Sequence, residues 1–135
     1  MTAGYPIDAP CPCSQGHQTR EGALSFGNCC EPLLSGAKDA PTARALMQSR
    51  YTAFVLEDSE YLMRTWHPRT RPASLDLSPD MQWLGLEILQ TTGGTMFSAE
   101  GTVEFKAYYE GGVQHEHSTF SRVDGRWVYV DALPS

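Results

Sequence analysis

The chain has 135 residues, 41% of them hydrophobic and 19% charged, with a formal net charge of -6. That is room for one domain with its own core and too little for two, and it fits neither a disordered nor a membrane-embedded chain. No stretch approaches the roughly 18 apolar residues of a membrane span, and the acidic balance argues against a protein that wraps nucleic-acid phosphates with clustered Lys and Arg.

Residues 1–10 read as a disordered N-terminus. They lack the basic start and apolar run of a secretory signal, so the expected compartment is the cytoplasm. All four cysteines fall within the first 30 positions, as Cys11-Pro12-Cys13 and Cys29-Cys30. Two such pairs joined by a loop can set four thiolates around one ion, the arrangement of a structural zinc site, with iron competing for the same soft ligands. Two disulfides between the pairs are the alternative in an oxidising compartment. Inert buried thiols are a third reading, for which the Gly-, Pro- and Ser-rich surroundings offer no core. His17, in the intervening loop, can replace one cysteine or hydrogen-bond a thiolate. Four protein ligands would leave no open coordination position, so such a metal is structural or part of a docking surface. Its removal is expected to disorder about the first 35 residues, leaving the remainder folded.

Pro41 can open a helix. Met47, Tyr51, Phe54 and Val55 then recur at helical spacing, with Arg44, Gln48 and Glu57 among the polar positions. Asp58 or Ser59 can cap a second, short helix carrying Tyr61, Leu62 and Trp66, which Pro68 ends. Tyr51, Phe54 and Trp66 read as packing residues. Arg64, Arg69 and Arg71 form the one local basic cluster, a solvated helix end or a grip for an anion.

From Gln82 the period becomes alternating, and Gly93-Gly94, Gly111-Gly112 and Asp124-Gly125 punctuate four antiparallel strands. Two-residue turns at the last two sites would pair residue 107 with 116 and residue 118 with 131. On that register Val103, Phe105, Ala107, Glu116, Ser118, Phe120, Tyr129 and Asp131 share the face turned to the helices. Glu116 and Asp131 would then stand together near Ser118, a pair whose burial and repulsion suit proton transfer, with His67 reaching the mouth of the pocket. Arg122 can instead neutralise either carboxylate. His115 and His117 point the other way, beside Glu104 and Lys106, as a surface ladder. The chain contains no dinucleotide fingerprint, phosphate loop or nucleophile elbow.

The Cys-Pro-Cys start and Cys-Cys end resemble the SEC-C motif, the metal knuckle found at the C-terminus of the preprotein translocase ATPase SecA. Beyond it, residues 32–36, the runs ALMQSRYTAFV at 45–55, YLMRTWHP at 61–68 and WLGL at 83–86, then VEF at 103–105, His115-Glu116, Ser118 and GRW at 125–127 resemble the bacterial YchJ-like family. The intervening loop, 14–28, is longer than the motif usually has. The resemblance implies a SEC-C-like knuckle over 11–36 and an α+β domain over 37–135, cystatin-like and of the nuclear transport factor 2 type, with helices on a curved antiparallel sheet. It implies metal binding by Cys11, Cys13, Cys29 and Cys30 and no particular reaction. The expected role is a protein-interaction or adaptor module that binds zinc or iron, with a chaperone, the export machinery or the ribosome as partner and a homodimer as one assembly. The alternative is a small enzyme or ligand-binding protein using Glu116 or Asp131, with Ser118, His67 and Tyr129 around them.

Overall fold

Two short segments laid side by side open the fold. Phe26 N–H donates to Ala9 O at 2.8 Å and Gly27 N–H to Ile7 O at 2.7 Å, while Pro10 and Ser25 form an isolated antiparallel bridge. The structure, a computed structural model, describes residues 5–14, 25–75, 77 and 81–133. His17 and most of the 14–28 loop lie outside the described residues, while residues 5–10, assigned to a disordered terminus, run along 25–27. A single helical turn, α1 (Glu31–Leu34), follows Cys30 with Pro in its first turn.

The two later helices form where caps and apolar spacing place them. Thr42 accepts the Ala45 N–H and opens α2 (Ala43–Val55); Asp58 accepts the Tyr61 N–H and opens α3 (Ser59–Arg64). Such caps each contribute about 1 kcal/mol. The strands β1 (Trp83–Gly93), β2 (Glu100–Tyr109), β3 (Gly112–Val123) and β4 (Arg126–Ala132) form one antiparallel sheet in the order β1-β2-β3-β4. At the β1–β2 connection the backbones of Gly94 and Gly101 approach so closely that a Cβ at 101 would overlap Gly94.

The core holds Leu46, Tyr51, Ala53 and Leu62 from the helices against Leu86, Val103, Phe105, Phe120 and Trp127 from the sheet. Full burial of a side chain such as Leu46 or Leu62 is worth about 1.5–3 kcal/mol. The same cluster continues through Phe26, Leu34 and three of the cysteines. The cysteine segment therefore has a core after all, and helix α2 is its wall. Arg64 adds a polar tie, donating to Leu34 O at 3.1 Å while stacking on Tyr61.

The register differs from the expected one in two ways. Tyr109 pairs with Gly112, so the β2–β3 turn is Glu110-Gly111, and Phe105 lies opposite Glu116. That shift is even and leaves every face unchanged. Between β3 and β4 the turn is as expected, with Val123 opposite Arg126, but the ladder slips by one past the Phe120–Tyr129 pair, and Thr119 then pairs with Asp131. An odd slip moves a side chain to the other face. Asp131 consequently leaves the helix-facing side, where Glu116, Ser118, Phe120 and Tyr129 remain.

Candidate metal centre

Each cysteine pair sits on a tight turn that aims its sulfurs inward. Cys11 and Cys13 flank the start of a 3-10 turn, Pro12–Ser14, and Cys29 ends another, Phe26–Asn28, donating its N–H to Phe26 O at 3.1 Å. Cys30 begins α1, its carbonyl accepting from Leu33 and Leu34. The side-by-side segments described above then bring the two turns together. The four Sγ atoms all lie within 4.8 Å of one another, with Cys13 and Cys29 at 3.5 Å and Cys29 and Cys30 at 3.9 Å.

Those spacings decide between the readings of the cysteines. A disulfide needs about 2.05 Å between sulfurs, and none of the four cysteines is bonded to another sulfur. Four sulfurs at about 2.3 Å from one tetrahedral ion stand about 3.8 Å apart along each edge, close to the 3.5 Å between Cys13 and Cys29 and the 3.9 Å between Cys29 and Cys30. The donor set is four thiols; among the described residues no histidine or carboxylate joins the group. Cys11, Cys13 and Cys30 are buried and Cys29 is partly open.

Electrostatics within the cluster asks for a cation. Hydrogen bonds from Cys13, Cys29 and Cys30 hold the Cys11 thiol below its ordinary range. The same crowding, with Cys11 first, pushes Cys13 and Cys30 well above theirs. Cys29 is lowered as well, so hydrogen bonds among the four favour the charged form of two thiols and resist it in the other two. A divalent cation at the centre would reverse that resistance, since a coordinating thiol gives up its proton. Beyond the sulfurs, Thr52 from the middle of α2 donates its hydroxyl to Cys30 Sγ at 3.3 Å and lies 3.7 Å from Cys11 Sγ. Nothing in the cysteine spacing points to this residue; its only signal is a polar, fully buried position on α2.

The second set of candidate residues is only partly assembled. Glu116, Ser118 and Tyr129 line a cavity between α2 and the sheet, Tyr129 OH lying 3.5 Å from Glu116 Oε2. Asp131 is exposed on the opposite face, its carboxylate accepting the N–H of Ala132, so the Glu116–Asp131 pair does not form. His67 does not line the cavity either. Its N–H donates to Tyr129 O and its Nδ1 accepts from Arg69 N–H, and its neighbour Trp66 occupies the wall instead. Arg122 reaches neither carboxylate and donates to the carbonyls of Ser98, Met96 and Gly125. His115 pairs with Glu104 at 2.7 Å on the exposed face.

Similarity to known proteins accords with this arrangement. Residues 42–132 match the family model for the YchJ middle domain, described as NTF2-like. A UPF0225 protein of Streptomyces coelicolor is 56% identical over 122 residues, covering 90% of this chain and 93% of the relative. One of Deinococcus radiodurans is 44% identical over 133 residues, covering 95% and 92%. Two solved structures share the fold at 30% identity. The crystal structure of a SEC-C motif containing protein from Psychrobacter arcticus superposes with a TM-score of 0.79 over 96% of this chain and 85% of that one. The solution structure of another, from Rhodopseudomonas palustris, gives 0.76 over 94% and 99%.

Proposed function

This chain belongs to the YchJ-like UPF0225 family, and from that premise we propose that it is an interaction module whose N-terminal knuckle is held in shape by one structural metal ion, zinc in the first instance. The observation that carries this reading is the convergence of the four sulfurs of Cys11, Cys13, Cys29 and Cys30 within 4.8 Å of one another. Iron competes for the same ligands, and the metal actually bound follows supply as well as affinity. With all four positions filled by protein, the ion would take no part in catalysis. Its effect would be to fix the loop beside Cys29, the one partly open sulfur, as a rigid surface.

The partner we propose is a protein, of the chaperone, export or ribosome-associated kind that the knuckle's resemblance to SecA suggests. The net charge of -6 makes a direct grip on RNA phosphates unfavourable. Metal analysis of untagged protein tests the core of the proposal. About one zinc or iron per chain in the wild type, lost in the Cys29→Ser, Cys30→Ser double variant, is the expected result; wild type free of both metals would overturn it. Capture of a purified partner that survives the double substitution unchanged would remove the interaction role from the knuckle.

A further inference from the structure

The cavity between α2, Trp66 and the helix-facing side of the sheet has a volume of about 370 Å³, toward the lower end of the range small-molecule sites occupy. None of the cysteines lines it, so a ligand held there would be independent of the metal. Its wall is largely aromatic, with Tyr51, Phe54, Trp66, Trp83, Phe105 and Tyr129. Two polar atoms in that wall, Trp66 Nε1 and Ser118 Oγ, are buried with no hydrogen-bond partner among the described residues, while the buried Tyr51 hydroxyl lies against the backbone N–H of Gly85. Leaving one buried group unpaired costs about 1–3 kcal/mol. Two of them around one space call for an acceptor, because the indole N–H can only donate and the Ser118 hydroxyl can.

Arg50 decides what kind of acceptor. It lies in the same wall and is only 3% exposed. Its hydrogen bonds all run from one nitrogen, to Leu62 O and Thr65 Oγ1, both at 2.8 Å, and its guanidinium lies 5.1 Å from the Trp66 ring centre and 4.7 Å from that of Tyr129. These partners are all neutral. Among the described residues no carboxylate forms an ion pair with it. Burial pushes its pKa down to about 10, so it keeps its charge at neutral pH. Glu116 acts on it from across the wall without reaching it as an ion pair. Water can satisfy the hydroxyl and the indole, but it brings no charge into contact with the guanidinium, and a buried charge without a contacting partner is costly.

Glu116 is the other ionisable group in the wall. Along this face of β3 exposure falls from Gln114 through half-buried Glu116 to fully buried Ser118, which sets the carboxylate nearer the mouth than Ser118. One buried cation in an aromatic wall suits a singly charged head better than a phosphate, which needs several cations or a row of backbone N–H groups.

We propose that this cavity binds a small organic carboxylate, its head against Arg50 with the N–H of Trp66 and the hydroxyl of Ser118, its aromatic or aliphatic body against Tyr51, Trp83 and Phe105. The test uses the full chain with its metal in place. 3-Phenylpropionate, hexanoate and the uncharged 3-phenylpropionamide are titrated by calorimetry and by the indole N–H resonance of Trp66. At least one acid should shift that resonance, and 3-phenylpropionate should bind about tenfold or more tighter than its amide, the ratio one charged hydrogen bond supplies. Arg50→Gln should abolish the preference for acid over amide. Should that variant fail to fold, Ser118→Ala should weaken the acid several-fold. A Trp66 resonance unmoved by both acids at millimolar concentration, or an amide that binds as tightly as its acid, would overturn the proposal.

Discussion

Thr52 donates its hydroxyl to Cys30 Sγ at 3.3 Å, linking the middle of α2 to the cysteine knuckle. A hydrogen bond to a thiolate ligand lowers its charge density and fixes its orientation, and loss of such outer partners typically reduces metal affinity about 10–100-fold. Thr52→Val keeps the shape and removes the donor. Its metal affinity, measured by competition with a chromophoric chelator, should fall by that factor, with the fold retained by circular dichroism. An affinity equal to wild type would show that the hydroxyl contributes only packing.

Removing the metal should lower the stability of the whole chain. Because Cys11, Cys13 and Cys30 belong to the same buried cluster as Leu46, Tyr51 and Leu62, loss of the knuckle uncovers one side of α2. After chelation the thermal transition should remain single and move to lower temperature, by more than the few degrees that about 1 kcal/mol supplies. A body that melts at the holo temperature while hydrogen exchange shows only residues 5–35 opened would restore the independent knuckle expected from the sequence.

Substitution of Gly101 by Ala tests the glycine contact between β1 and β2. A Cβ there would meet the backbone of Gly94, which cannot rotate away as a side-chain tip could. Overpacking of this kind costs about 1–3 kcal/mol. Urea denaturation should show a lower midpoint at unchanged slope, whereas a neutral result would mean that the connection can open.

Alkaline pH should weaken the fold through its buried tyrosines. Burial pushes Tyr61 and Tyr129 from 10.0 up to about 12. A group whose folded pKa is raised contributes stability that is complete below its unfolded pKa and is lost as pH rises to the folded value. The window is therefore about pH 10 to 12. Arg50 acts in the opposite sense across the same window, because its folded value is depressed from 12.5 to about 10, and the two tyrosines together outweigh it. Stability measured by urea should hold to about pH 10 and fall beyond. Tyr61→Phe should flatten the fall; an unchanged slope would remove Tyr61 from the account.

The elements with local signals were legible in the chain. Asp58 marks a helix start, the alternation after Gln82 marks strands, and the cysteine pairs announce their own meeting. Pro41 points to a first helix that opens instead at the Thr42 cap just after it. What escaped the sequence depends on contacts between distant segments. Helix α2 reads as amphipathic, yet two of its polar residues that the spacing leaves unassigned, Ser49 and Thr52, are fully buried. The knuckle covers that side, and apolar periodicity along one helix carries no trace of a second cover. Arg50 carried a signal that can be read in hindsight: it sits three residues after Met47 and four before Phe54, on the apolar stripe, where a charge needs a reason. The one-residue slip that moves Asp131 out arises within the ladder and leaves no mark in turn composition, so the paired carboxylates did not survive it.

Helix α2 carries Arg50 toward the cavity and Thr52 toward the sulfurs only two positions later. Successive residues on an α-helix are turned by about 100°, so these two look to roughly opposite sides of one rod. A single residue inserted upstream of Arg50 would swing both off target in one stroke, and a deletion would do the same in the other direction. The number of residues in α2 is therefore shared by the two sides of the molecule: a side chain can be exchanged on one side alone, but an insertion or deletion upstream of Arg50 reaches both at once.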